Sequence, residues 1–288
     1  MTKNIILYLI IFVYPVLGLA YSDARRRDSL PSDSARHVVK ITRTWTLPPV
    51  LQNISAFDFI DASRLACIQD VIGSIFIFNL QTDTIESVIP FGPPGDYEGL
   101  AIAGGSIFVG CADGRILEVT KFRSAARVTK EYGTNLSVEQ GIEGLCYDKK
   151  GNRLLVSIKG DGESLRHYKG IYAFDLATRT MAVKPVYNID LRDTLLNKSE
   201  TRRWQSVIVP SDIDIHPHSG FIYIPDAEKS QLLVLDGDGG AKFIFFFAPT
   251  EMIQPEGIKF TPSGELYVAS GGADGLPGKI LVVAYTAL

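Results

Sequence analysis

The sequence predicts an all-β fold, a five-bladed β-propeller closed by an N-terminal strand that completes the last blade. Three observations carry this: a two-strand pattern that recurs five times, a repeat spacing close to the length of one blade, and a strand-like segment ahead of the first repeat. The repeats read SAFDFIDASRLACIQD from Ser55, EGLAIAGGSIFVGCAD from Glu98, EGLCYDKKGNRLLVSIK from Glu143, SDIDIHPHSGFIYIPD from Ser211 and EGIKFTPSGELYVASG from Glu256. Each is a small or acidic residue, an apolar strand, a turn and a second apolar strand. Their starts lie 43, 45, 68 and 45 residues apart. A period in the low forties leaves room for two more strands, the make-up of a four-stranded blade.

The first repeat supplies four strands, at about residues 54 to 60, 64 to 69, 74 to 79 and 84 to 91 by the alternation of apolar runs and turns. The last repeat supplies three and ends at KILVVAY. The segment VVKITRTWTL from Val38 is otherwise unpaired, and it is expected to complete that blade. Closure of this kind leaves only short protected edges. The long third step, of 68 residues, is one blade plus an insertion, residues 188 to 209, with a short helix expected at LRDTLLNKS.

Ahead of the propeller, Lys3, the apolar run from Ile5 to Leu19 and the small residues Gly18 and Ala20 read as a secretory signal, residues 1–20. The basic run Arg25 to Arg27 opposes translocation, so an uncleaved membrane tether stays open as the alternative. Residues 21–37 read as a flexible arm and 38–288 as a single propeller domain. The chain is thus expected to be exported to the periplasm or cell envelope. A net charge of −3 gives no broad basic field, which argues against a nucleic-acid partner and favours a metal or other cation. Cys67, Cys111 and Cys146 fall in apolar strands without metal-ligand spacing and read as buried hydrophobes.

The start of a blade's first strand and the end of its second share one mouth of the ring, because the two run antiparallel. Glu98, Glu143 and Glu256 stand at such starts, with Ser55, Ser211 and Asp212 in the other two repeats. Fifteen residues on stand Asp70, Asp113 and Asp226. Clustered carboxylates repel one another unless a cation neutralises them, and an oxygen-only set suits calcium. The candidate metal ligands are therefore Glu98, Glu143, Glu256, Asp212, Asp70 and Asp226. The competing reading has these acids bonded only to backbone amides. His216 and His218 lie in a turn expected at the opposite mouth. His167 lies in a loop at the carboxylate mouth, beside Lys159, Asp161 and Glu163. LDGDGG from Leu235 reads as a hairpin turn, since the twelfth position of a calcium loop would be Phe247.

DYEGLAI, GIEGLCYD, PSDIDIHPHSGFIYIPD and QPEGIKFTPSGELYVASGG together resemble the SdiA-regulated family of bacterial envelope proteins, over roughly residues 54 to 285. The resemblance implies a five-bladed propeller with a calcium site, envelope association and calcium handling without an established reaction. It matches Glu98, Glu143 and Glu256 to the family's Glu-Gly positions, and Asp70 and Asp226 to its acidic positions. The chain departs at Ser55-Ala56 and at Asp212, where glycine is usual. A more distant similarity to phytase-like esterases and gluconolactonases supplies the alternative, a calcium-dependent hydrolase. The partner beyond calcium, a small molecule or an envelope protein, is left open.

Overall fold

The structure is a computed structural model that describes residues 37–160, 167–196, 208–248, 252–273 and 275–285. The signal or tether segment and most of the arm lie outside the described residues, as do Asp161 and Glu163. Five antiparallel sheets form the blades. Blade 1 holds β3 (Ile54–Phe59), β4 (Arg64–Gln69), β5 (Ser74–Asn79) and β6 (Thr84–Pro90). Blade 2 holds β7 (Tyr97–Ala103), β8 (Ser106–Cys111), β9 (Ile116–Thr120) and β10 (Val128–Tyr132). Blade 3 holds β11 (Ile142–Asp148), β12 (Arg153–Ile158) and β13 (Tyr168–Asp175), with an outer edge split between β14 (Thr180–Met181) and β15 (Tyr187–Asp190), both paired with β13. Blade 4 holds β16 (Asp214–Ile215), β17 (Ile222–Asp226), β18 (Gln231–Leu235) and β19 (Ala241–Phe246). Blade 5 holds β20 (Gln254–Phe260), β21 (Leu266–Gly271) and β22 (Lys279–Ala284).

The closure expected from the sequence is present. Strand β2 (Lys40–Thr46) pairs antiparallel with β22 and gives blade 5 its fourth strand. The preceding residues depart from the expectation: β1 (His37–Val38) pairs parallel with β19, on the outer edge of blade 4. Buried Val39 joins the apolar layer between these two blades, so the chain crosses from one outer edge to the next. The expected helix at residues 191 to 199 is also absent from its described part, where 191–196 form turns. Asp193 closes one of them by accepting from the Leu195 amide, and so offers the backbone an alternative to the helix ladder.

Why the sheets stand in a ring follows from their two apolar faces. In β3, Ala56 joins the layer shared with blade 2, while its neighbour Phe57 joins the layer shared with blade 5. Five such layers lie between blades 1 and 2, 2 and 3, 3 and 4, 4 and 5, and 5 and 1. Inner strands therefore read as continuous apolar runs, and β5, SIFIFN, is buried at every position. A fully buried Phe or Leu contributes roughly 1.5–3 kcal/mol, so each sheet is held mainly by its neighbours. Cys67, Cys111 and Cys146 are free and buried in these layers.

Candidate functional site

The acidic mouth is built by a backbone irregularity repeated from blade to blade. In blade 2 the register passes from Tyr97↔Cys111 to Gly99↔Gly110 and leaves Glu98 without a partner residue. The same slip isolates Glu143 in blade 3 and Glu256 in blade 5. In blade 1 it isolates Ser55. Each is a β-bulge, which re-aims one side chain out of the alternating pattern. The residue re-aimed is the glutamate in three blades. Ser55 and Ser211 instead act as clips, with Ser55 Oγ donating to the Tyr97 carbonyl (2.7 Å) and Ser211 Oγ to the Pro255 carbonyl (2.6 Å). Both carbonyls immediately precede a bulged glutamate.

The three glutamates feel one another. Burial, the Glu143 charge and a hydrogen bond with Asp96 push the Glu98 carboxyl up to about 9. Burial pushes Glu143 to about 7, against the pull of Lys159 and with a further push from Glu256. Burial also pushes Glu256 to about 7, with Asp70 adding to the rise and Lys159 opposing it. Lys159 is held above its ordinary range by Glu143 first, with Glu98 and Glu256 adding to the rise. Its ammonium lies 3.5 Å from Glu143 Oε1, on a side chain 59% exposed. One largely exposed cation therefore acts on three carboxyl groups drawn from three blades.

Of the aspartates expected here, Asp70 belongs with this group. It raises Glu256, and its Oδ1 is buried with no hydrogen-bond partner. Asp226 is fully buried and committed within its own blade: Oδ2 accepts from the Val209 amide, Gln231 Nε2 and Lys229 Nζ, and Oδ1 accepts from the Lys229 amide. Asp113 forms an exposed pair with Arg115 at 2.7 Å. Asp212 occupies the position of the motif's glycine, and its Oδ2 accepts from the Ile258 amide (2.8 Å) and from Lys259 Nζ (2.9 Å). It therefore faces blade 5 and Lys259. Among the described residues no three Asp, Glu, His or Cys side chains already stand grouped for a metal ion.

His216 lies in the turn between β16 and β17, the end of blade 4 remote from the glutamates, and packs edge-on against Phe260 at 4.9 Å. Its Nδ1 accepts from the Ser219 amide. The LDGDGG stretch forms the β18–β19 turn, closed by the Asp236 carboxylate on the amides of Asp238 and Gly240.

Beyond the acidic mouth lies a second polar group that the motifs did not single out. Lys259 of blade 5 also donates to the carbonyls of Leu145 in blade 3 (3.2 Å) and Ile213 in blade 4 (3.4 Å). Asp214 and Asp58 act on the same ammonium. Asp58 Oδ2 accepts from the Ile102 amide and Asp214 Oδ2 from the Phe260 amide, each on the following blade. Burial pushes Asp212 up to about 6 and Asp214 up to about 7, and raises Asp58, all against the pull of Lys259. A signal existed: the third residue after each repeat start is Asp58, Ala101, Cys146, Asp214 or Lys259, and three of the five are charged.

No family model matches the chain, and no curated protein matches it either. Solved structures do. A glutaminyl cyclase from Myxococcus xanthus is similar over 89% of this chain and 100% of its own, at 15% identity and a TM-score of 0.60. A structure titled U3-55K is similar over 85% of this chain and 98% of its own, at 10% identity and a TM-score of 0.50. At such identities the likeness is one of fold.

Proposed function

We propose that this chain is an exported calcium-binding β-propeller of the cell envelope that binds or handles calcium at its glutamate mouth. One observation carries the reading: bulges in three blades aim Glu98, Glu143 and Glu256 at a shared region, where Asp70 keeps a buried oxygen without a partner. The donors are hard oxygens, the set calcium accepts six to eight of. Without an ion their repulsion is relieved by proton uptake and by Lys159. A divalent cation does the same more strongly, draws the carboxylates inward and releases the Lys159 ammonium to solvent. Export rests on the N-terminal run Ile5 to Leu19, and the resemblance to the SdiA-regulated family points the same way. Calorimetry of the purified protein with calcium tests the reading. Binding of about one ion, weakened at least tenfold by Glu143→Gln, is the expected result; no heat and no calcium-dependent rise in Tm would overturn it.

A second reading is favoured by the unequal carboxyls. Glu98 stays protonated at neutral pH beside Glu143, which titrates near 7, so an acid and a base share one mouth with an ammonium. Such a trio suits cyclisation of an N-terminal glutamine, the activity named for the Myxococcus protein. The base takes a proton from the α-amine as its nitrogen bonds to the side-chain amide carbon, and the acid delivers a proton to the amide nitrogen, which leaves as ammonia as its bond to that carbon breaks. Ammonia release from a glutaminyl peptide that persists in EDTA and vanishes in Glu98→Gln would establish this reading over the first.

A further inference from the structure

Lys259 is buried to 3% exposure and Asp212 to 0%, and no part of the mouth reading uses them. The ammonium pairs with Asp212 at 2.9 Å and is acted on by the charges of Asp214 and Asp58, so the group carries more acid than base. Two main-chain carbonyls, Leu145 and Ile213, complete its surroundings. The donors come from blades 1, 3 and 4 and meet a lysine from blade 5. Backbone amides fix these carboxylates, from Ile258 on Asp212 Oδ2 and Phe260 on Asp214 Oδ2, while Asp58 accepts from Phe59 at Oδ1 and from Ile102 at Oδ2. The second oxygen of Asp212 is buried and has no partner.

Removing the ammonium in thought leaves carboxylate and carbonyl oxygens from three blades, preoriented by the backbone, with one buried oxygen unsatisfied. That is the donor chemistry of a hard-cation site. Lysine suits the place because its ammonium is a compact point charge on a flexible stem, close in character to an ion. We infer that this buried group is a second cation site, distinct from the mouth, in which the Lys259 ammonium stands where a divalent cation such as calcium would bind. In the wild type the ammonium excludes the metal, so the link among blades 3, 4 and 5 is independent of calcium supply.

The test is Lys259→Met in the full chain, with Lys259→Ala, which leaves room for a hydrated ion, carried in parallel. Without calcium, Lys259→Met is expected to melt about 10 °C or more below wild type, because buried carboxylates lose their counter-ion. Millimolar calcium is expected to restore most of that loss. Calorimetry is expected to count one calcium more than wild type, whatever number the wild type takes. Adding Glu143→Gln leaves this extra ion in place, which separates the inference from the mouth reading. Adding Asp212→Asn is expected to abolish it and to raise the metal-free Tm. Variants that fold only when refolded with calcium also support the site. An ion count equal to wild type, or failure of both variants to refold with calcium present, overturns it.

Discussion

Gly144 follows a bulged glutamate, and a Cβ built there would lie 2.4 Å from Asp212 Cα and 2.6 Å from Asp212 Oδ1. The nearer contact is backbone, which cannot swing aside, so blades 3 and 4 would have to separate. Gly144→Ala is therefore expected to cost about 2–4 kcal/mol in chemical denaturation, while Gly133→Ala, which meets nothing within 4 Å, is expected to change little. Equal effects of the two would remove the close-approach argument. The Glu-Gly pairs were legible in the sequence because they recur, and so was the convergence of Glu98, Glu143 and Glu256. Illegible was the contact that requires this glycine, since Gly144 and Asp212 belong to different repeats. The Asp212–Lys259 pair was hidden for the same reason. A motif read along one repeat does not show which side chain of the next blade it meets, so Asp226 looked like a mouth ligand while its oxygens serve Val209, Lys229 and Gln231.

Among the elements, β2 has the most to hold. It pairs with β22 along its length, and Trp45 stacks on Tyr267 at 5.8 Å while its Nε1 donates to the Leu80 carbonyl of blade 1. The strand thus fastens blade 5 and ties it to blade 1. Trp45→Ala is expected to cost about 3 kcal/mol or more through lost packing and an unsatisfied Leu80 carbonyl. A chain beginning at Pro48 leaves the β22 edge unpaired and is expected to associate in solution, seen as higher-mass species by light scattering. A monomer with unchanged Tm would show that closure does not depend on β2. The inner strands of blade 1 were legible nearly to the residue, because two buried faces give apolar runs between turns. The outer strands were less so. The β14–β15 split and the parallel pairing of β1 occur at exposed edges, where side chains carry little burial pattern to read.

At the scale of the whole ring, buried acids from all five blades impose a common dependence on pH. In the folded state Glu143 and Glu256 titrate near 7 and Glu98 near 9, against about 4.5 for a solvated glutamate. Asp212 and Asp214, raised to about 6 and 7, act in the same direction, as does Asp58. A group whose folded value is raised binds its proton more tightly in the folded state. Its contribution is therefore fully present at low pH and is lost as pH climbs from the unfolded value through the folded one. Surface acids held low by partners, Asp61 by Arg64 and Asp113 by Arg115, work the opposite way below about pH 4, but their exposure keeps the effect small. The metal-free protein is thus expected to be most stable near pH 5 and to lose Tm steadily toward pH 9. On the proposed calcium reading, the ion would replace the protons that Glu98, Glu143 and Glu256 give up, so the decline above pH 6 is expected to flatten when calcium is added. Glu98→Gln, which cannot ionise, is expected to flatten part of the decline without calcium. Thermal melts across pH 5 to 9, with and without calcium, measure all three. A metal-free Tm that holds constant over that range would mean that the carboxyls do not share their burden of charge across the ring.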